Sequence, residues 1–244
     1  MILLVGTTPD DILYYKNRMK ISEKGFVHDK HPYFVGTFAA KEICLTYTGN
    51  SNLMSAVISS YMIKKFEPYL VIMIGSLYSA SSKLKQGDLF IAERLYMGDV
   101  DYASFEDLHF AQALHMLSYY TTDDQYIKYI ETLNSQSHNY RLVRGPLISM
   151  NKFYVDIEEA EKVIKKQEHF LGGATAFDTE AGGTVAACNF YQTPWLLLKS
   201  ISYEIGNDKQ VISFVRKGLE AQPNIGYLIE LLFNFLNTSL EEAI

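Results

Sequence analysis

A chain of 244 residues that is 48% hydrophobic can bury one large core, so a single domain over residues 1–244 is expected. Its formal net charge of −6, with no block of Lys and Arg to reverse it, argues against nucleic acid or an anionic membrane as the main partner. No apolar run approaches the roughly 20 residues of a membrane span, MILLVGTTPDD carries no basic leader, and Cys44 and Cys188 stand alone in apolar contexts, so a reducing, cytoplasmic setting is expected.

Residues 2–5 read as a core strand closed by Gly6. Thr8-Pro9-Asp10-Asp11 supplies an N-cap and an acidic first turn for a helix through about Lys20. Residues 33–38 and 43–47 read as strands of a meander. Gly49-Asn50-Ser51 caps a helix to about Phe66, with Leu53, Val57, Tyr61 and Ile63 roughly on one face, ended by Glu67-Pro68. Residues 70–74, LVIMI, form a run too short for a helix and suited to a strand buried on both faces. It stops at Gly75-Ser76, small residues that let backbone approach a ligand at a strand end. A polar loop, the turn Gln86-Gly87-Asp88 and a strand over 89–92 follow.

Residues 99–137 are aromatic and read as mostly helical, with Thr122-Asp123-Asp124 as a cap. A strand is expected within 140–149, a charged helix from Asp156 to about His169, a short strand at 175–178 and a helix of small residues over 181–191. A buried strand at 195–201 and an amphipathic helix over 224–236 complete the chain. Strands and helices alternate throughout, which predicts a layered α/β fold with a central mixed, largely parallel sheet flanked by helices.

The Gly-rich dinucleotide fingerprint, the phosphate-cradling Gly-Lys-Ser/Thr loop and the nucleophile elbow are all missing, so no cofactor is expected. His28 and His31 flank Lys30 in a polar loop without zinc-type spacing, so no metal is expected either. Two carboxylates meet a helix start in Phe177-Asp178-Thr179-Glu180-Ala181-Gly182-Gly183. A carboxylate there can complement the helix dipole, or it can accept hydrogen bonds from a sugar diol. A third strand end places Lys199-Ser200-Ile201-Ser202-Tyr203-Glu204 after an apolar run.

These segments, in this order, resemble the nucleoside phosphorylase and nucleosidase superfamily, and its methylthioadenosine/S-adenosylhomocysteine nucleosidase branch in particular. Gly75-Ser76, Leu84-Lys85-Gln86-Gly87-Asp88, the stretch DVDYASF at 99–105, SMNKFY at 149–154, Thr179-Glu180-Ala181 and Ile201-Ser202 carry the likeness, which runs from Met1 to about Phe214. The resemblance implies a three-layer phosphorylase/hydrolase-like fold and cleavage of a ribose–base bond by water. It implies Glu180 on the ribose hydroxyls with Thr179 before it, Ser76 beside the sugar, Phe153 stacked on the base and Tyr154 presenting backbone to the base edge. It also implies Asp11 orienting the attacking water, Phe214 at the apolar end for the 5′-substituent, and Phe105 reaching across a homodimer interface.

One departure bears on catalysis. The aspartate that follows Ile-Ser in the family is Tyr203 here, and a phenol is a weaker proton donor than a carboxylic acid. Tyr203, its neighbour Glu204 and Asp208 in the next loop are the candidates to assist the leaving base. Arginines that would hold phosphate are missing at the family's positions. The reading is therefore a purine nucleoside N-ribosyl hydrolase binding a small-molecule nucleoside. Two alternatives remain: a catalytically impaired nucleoside-binding relative, and a nucleoside phosphorylase.

Overall fold

β1 (Ile2–Gly6) sends alternate side chains to opposite faces, because successive residues of a strand point to opposite sides of the sheet. Leu3 and Val5 join one core cluster and Ile2 and Leu4 another, and all four are buried. In this computed structural model, which describes residues 1–102, 104, 108–134, 140–166 and 174–241, those two clusters are the two interlayer cores of a three-layer α/β fold. One core packs α2 (Asn52–Phe66) and α5 (Ala181–Tyr191) on the sheet. The other packs α1 (Pro9–Lys16), α3 (Asp124–Asn134) and the long α6 (Asp208–Glu241). The remaining helix, α4 (Ile157–Lys166), flanks a third, smaller cluster around Tyr78, Phe177 and Tyr203.

The strands are β2 (Lys20–Val27), β3 (His31–Phe38), β4 (Lys41–Tyr47), β5 (Leu70–Met73), β6 (Ser76–Ser79), β7 (Leu89–Met97), β8 (Tyr120–Thr121), β9 (Leu142–Ser149), β10 (Ala176–Asp178) and β11 (Trp195–Glu204). They lie in the order β2-β3-β4-β1-β5-β11-β6-β10-β9-β7-β8. Six of the eleven pairings among the described residues are parallel, so the sheet is mixed with a parallel majority. β11 also pairs β7, which closes β11, β6, β10, β9 and β7 into a ring. β11 is thus shared between an open sheet, where its first residues pair β5, and a closed one, where its C-terminal half runs beside β6.

Several expectations need correction. The first helix ends at Lys16, and Lys20 begins β2, a mostly exposed strand with no apolar alternation to announce it. The segment after Gly75 is the strand β6, not a loop. No helix forms among the described residues between 99 and 119; helix begins only at Asp124. The last helix starts at Asp208, sixteen residues earlier than expected, and runs through Pro223. On α2, Leu53 and Val57 face outward at 73% and 54% exposure, while Ser55, Ile58, Ser59 and Met62 form the buried face.

Candidate active site

A cavity of about 490 Å³ opens where β1 and β10 end and β6 begins, between α1, the start of α2 and α6. Its floor is built by the α5 N-terminus, whose exposed N–H groups need acceptors. Ala181 N–H donates to both oxygens of Asp178 at 3.2 Å, Gly182 N–H to Ser149 Oγ at 2.8 Å, and Gly183 N–H to Asn52 Oδ1 at 3.0 Å. The N-cap residue Glu180 is therefore free to turn its carboxylate toward the cavity.

Glu180 is buried and accepts from donors on both oxygens. Thr7 Oγ1 donates to Oε1 at 2.5 Å, and Thr179 Oγ1 to Oε2 at 2.8 Å. Beneath them the fully buried Lys199 donates to Glu180 and, at 3.0 Å, to Asp178. Burial pushes the Glu180 carboxyl up, but the Lys199 charge and these hydrogen bonds outweigh it and hold the group below its ordinary value. For Asp178 burial wins, and its carboxyl is pushed up to about 6. Burial pulls the Lys199 ammonium down, yet its two carboxylate partners raise it overall, so it stays charged.

Asp11, third residue of α1, brings a second carboxylate to the same cavity. Its Oδ2 accepts from Thr7 N–H at 3.1 Å, Thr8 N–H at 2.8 Å and Thr8 Oγ1 at 3.0 Å. Thr7 thereby bridges the two carboxylates, backbone to Asp11 and hydroxyl to Glu180. Burial pushes the Asp11 carboxyl up against those hydrogen bonds, which makes it a stronger base than an exposed aspartate. Gly75 makes room for it: its φ is +134°, and a Cβ would lie 3.2 Å from Asp11 Cγ. Gly75→Ala is expected to cost about 1–3 kcal/mol of stability and to displace Asp11. Urea unfolding and turnover of the variant check both effects.

The opposite end is aromatic. The Phe153 ring lies 4.6 Å from Tyr78 and 5.5 Å, edge to face, from Phe214. Val215 and Leu219 of α6 complete this wall. Between the two ends Ser76 Oγ accepts from Ser202 Oγ at 3.1 Å, which in turn meets Ser200 Oγ at 3.3 Å.

The structure brings Asp11, Ser76, Phe153, Thr179, Glu180 and Phe214 together around this cavity. Tyr154, Tyr203, Glu204 and Asp208 are not among the residues that line it. Tyr154 is buried in the third cluster beside Phe177. Tyr203 is fully buried: a bulge at Ser202 shifts the register of β11 against β6, the Tyr203 hydroxyl donates to Val155 O at 3.4 Å and accepts from Gly206 N–H at 3.3 Å, and its ring stacks behind Phe153. Glu204 is tied to Gln86 N–H at 3.1 Å and Lys85 Nζ at 3.2 Å. Asp208 is exposed at the start of α6. Phe105 lies outside the described residues. Sequence reasoning missed Thr7, Tyr78 and Lys199. A lone lysine in the apolar run of β11 was the available signal, since a charge buried there needs partners.

The family model for the phosphorylase superfamily matches residues 2–233. The 5′-methylthioadenosine/S-adenosylhomocysteine nucleosidase of Staphylococcus haemolyticus is 26% identical over 97% of this chain and all of its own length. That of Listeria welshimeri is 27% identical over 94% of this chain and 97% of its own. Among solved structures, the nucleosidase of Neisseria meningitidis in complex with methylthio-immucillin-A superposes with a TM-score of 0.83 at 19% identity, covering 95% of this chain and 97% of that one. The futalosine hydrolase of Helicobacter pylori gives 0.83 at 20% identity, covering 96% and 97%. At these identities the structural likenesses speak for the fold.

Proposed function

Because the chain belongs to the phosphorylase superfamily, we propose that it is a purine nucleoside N-ribosyl hydrolase, similar in activity to the methylthioadenosine/S-adenosylhomocysteine nucleosidases it resembles. The observation that carries the reading is the pair of carboxylates linked by Thr7. Each Glu180 oxygen receives one threonine hydroxyl, the pattern a vicinal diol makes when its two hydroxyls replace them. Asp11 then orients and deprotonates water against C1′, and the Phe153 end stacks the base.

Water is favoured over phosphate by charge. Asp10, Asp11, Asp178 and Glu180 line the cavity, and no Lys, Arg or His does among the described residues. A phosphate dianion meets repulsion there that water does not. The reading is tested by incubating adenosine, methylthioadenosine and inosine with and without phosphate. Base release without phosphate is expected; release only with phosphate means a phosphorylase, and tight binding without release means the catalytically impaired relative. That last reading draws on the Tyr203 hydroxyl, which is engaged away from the cavity.

Glu180→Gln loses a charge-assisted acceptor worth about 1.5–3 kcal/mol, so nucleoside binding by calorimetry should weaken roughly 10- to 150-fold. A homodimer in the cytoplasm completes the proposal. No helix among the described residues is long and apolar enough to cross a membrane, and both cysteines are buried and free. The outward stripe Leu53, Val57 and Tyr61 on α2, with the exposed Tyr102, offers apolar surface for an isologous contact. Sedimentation at micromolar concentration should give twice the 27.8 kDa chain mass.

A further inference from the structure

Among the described residues, no free acid stands at the base end of the cavity. The nearest hydroxyl, Ser76 Oγ, lies between the two ends and accepts from Ser202 Oγ, and an aliphatic hydroxyl is far too weak an acid to protonate a leaving base. The phenols of Tyr78 and Tyr203 are committed to backbone, Tyr78 to Lys152 O at 2.7 Å and Tyr203 to Val155 O. The carboxylates that line the cavity belong to its other end. Asp10 and Asp11 sit on α1, and Asp178 accepts from Ala181 N–H and Lys199 under the ribose carboxylate Glu180. A neutral purine needs a proton as it leaves, because the departing ring nitrogen otherwise carries a negative charge. A base that is already cationic needs none.

Two further observations fit a cation. Four carboxylates line the cavity against one buried ammonium, Lys199, so the site attracts positive charge. The rings of Tyr78, Phe153 and Phe214 are gathered where the base would lie, and aromatic faces hold cations.

Building on the hydrolase reading above, we propose that this site takes ribosides of cationic heteroaromatic bases, pyridinium or N7-alkylpurinium, in preference to neutral nucleosides. The step balances without an acid. The C1′–N bond breaks, and its electron pair returns to the ring and cancels the positive charge. Water adds to C1′ as Asp11 takes its proton. The products are ribose, the neutral heterocycle and one proton released from Asp11 to solvent.

The test compares kcat/KM in phosphate-free buffer for nicotinamide riboside and 7-methyladenosine, whose positive charges do not titrate near neutral pH, against adenosine and methylthioadenosine. General acid catalysis contributes about 10²–10⁴-fold, so the cationic ribosides are expected to react at least about 10²-fold faster than the neutral ones. Their rate should also stay level with pH above the acid limb set by Asp11. Neutral nucleosides hydrolysed as fast as the cationic ones overturn the inference while leaving the hydrolase reading intact. A neutral-substrate rate that falls above pH 6 does so too, since it would mark Asp178 as an acid. Turnover of neither class removes both the inference and the hydrolase reading.

Discussion

Replacing Lys199 by Met is expected to destabilise the protein by about 3–5 kcal/mol, the cost of breaking a buried ion pair by removing one partner. Lys199 is fully buried and joins β11 to both Asp178 and Glu180. Without it two buried carboxyl groups face each other unpaired, and at least one must take up a proton. The pH dependence follows in sign. The wild-type Glu180 carboxyl is held below its ordinary value, so its contribution is present above the unfolded pKa and lost as pH falls. In the variant the Lys199 charge is gone and burial opposes only the remaining hydrogen bonds, so both folded carboxyl groups are expected above their unfolded values, and stability is lost as pH rises through them. The deficit relative to wild type should therefore be larger at pH 8 than at pH 5, as urea unfolding at the two values would show. An equal deficit at both would mean that Lys199 contributes through packing.

Asp11→Asn is expected to slow hydrolysis by about 10²–10⁴-fold, the range of general acid–base catalysis, with little change in nucleoside affinity. The amide is nearly isosteric and keeps an oxygen for the Thr7 and Thr8 donors, but it cannot accept a proton from water. In wild type the ionised form is the active one. Burial pushes the Asp11 carboxyl above 3.8, so activity should begin to fall at a higher pH than an ordinary aspartate would set. That limb should vanish from the residual rate of the variant. A full-rate Asp11→Asn enzyme would place the base elsewhere.

The strands most directly legible in the sequence are those whose burial on both faces makes them apolar throughout, β1, β5 and the first half of β11. β2 escaped because it is an edge strand with polar residues on both sides, KISEKGFV. The start of α6 escaped because Pro223 reads as a helix boundary, whereas packing of Ile225, Leu228, Ile229 and Leu232 on the sheet carries the helix through it. The stripe on α2 was legible as a periodicity, but period alone does not say which side faces the core. Small polar residues do so here, because Ser55 and Ser59 find partners in Glu180 O and Thr184 Oγ1.

The site divides in the same way. Glu180 stands at an acidic helix start whose local chemistry is readable, and Asp11 in a readable capping turn, whereas the part expected of Asp11 and of Phe153 came from the family resemblance alone. Tyr203 was readable as a substitution but not as a direction. The bulge at Ser202 aims it, and a bulge depends on the pairing with β6 rather than on β11 alone.

The source of the oxygen in the sugar product tests the central claim most directly. Methylthioadenosine is incubated with stoichiometric protein in phosphate-free water enriched in ¹⁸O, and the products are weighed by mass spectrometry with brief reaction times to limit exchange at C1. Hydrolysis through Asp11 predicts free adenine and one ¹⁸O on methylthioribose, unchanged when phosphate is added. No adenine at stoichiometric protein, or an unlabelled sugar phosphate formed only with phosphate, would contradict it.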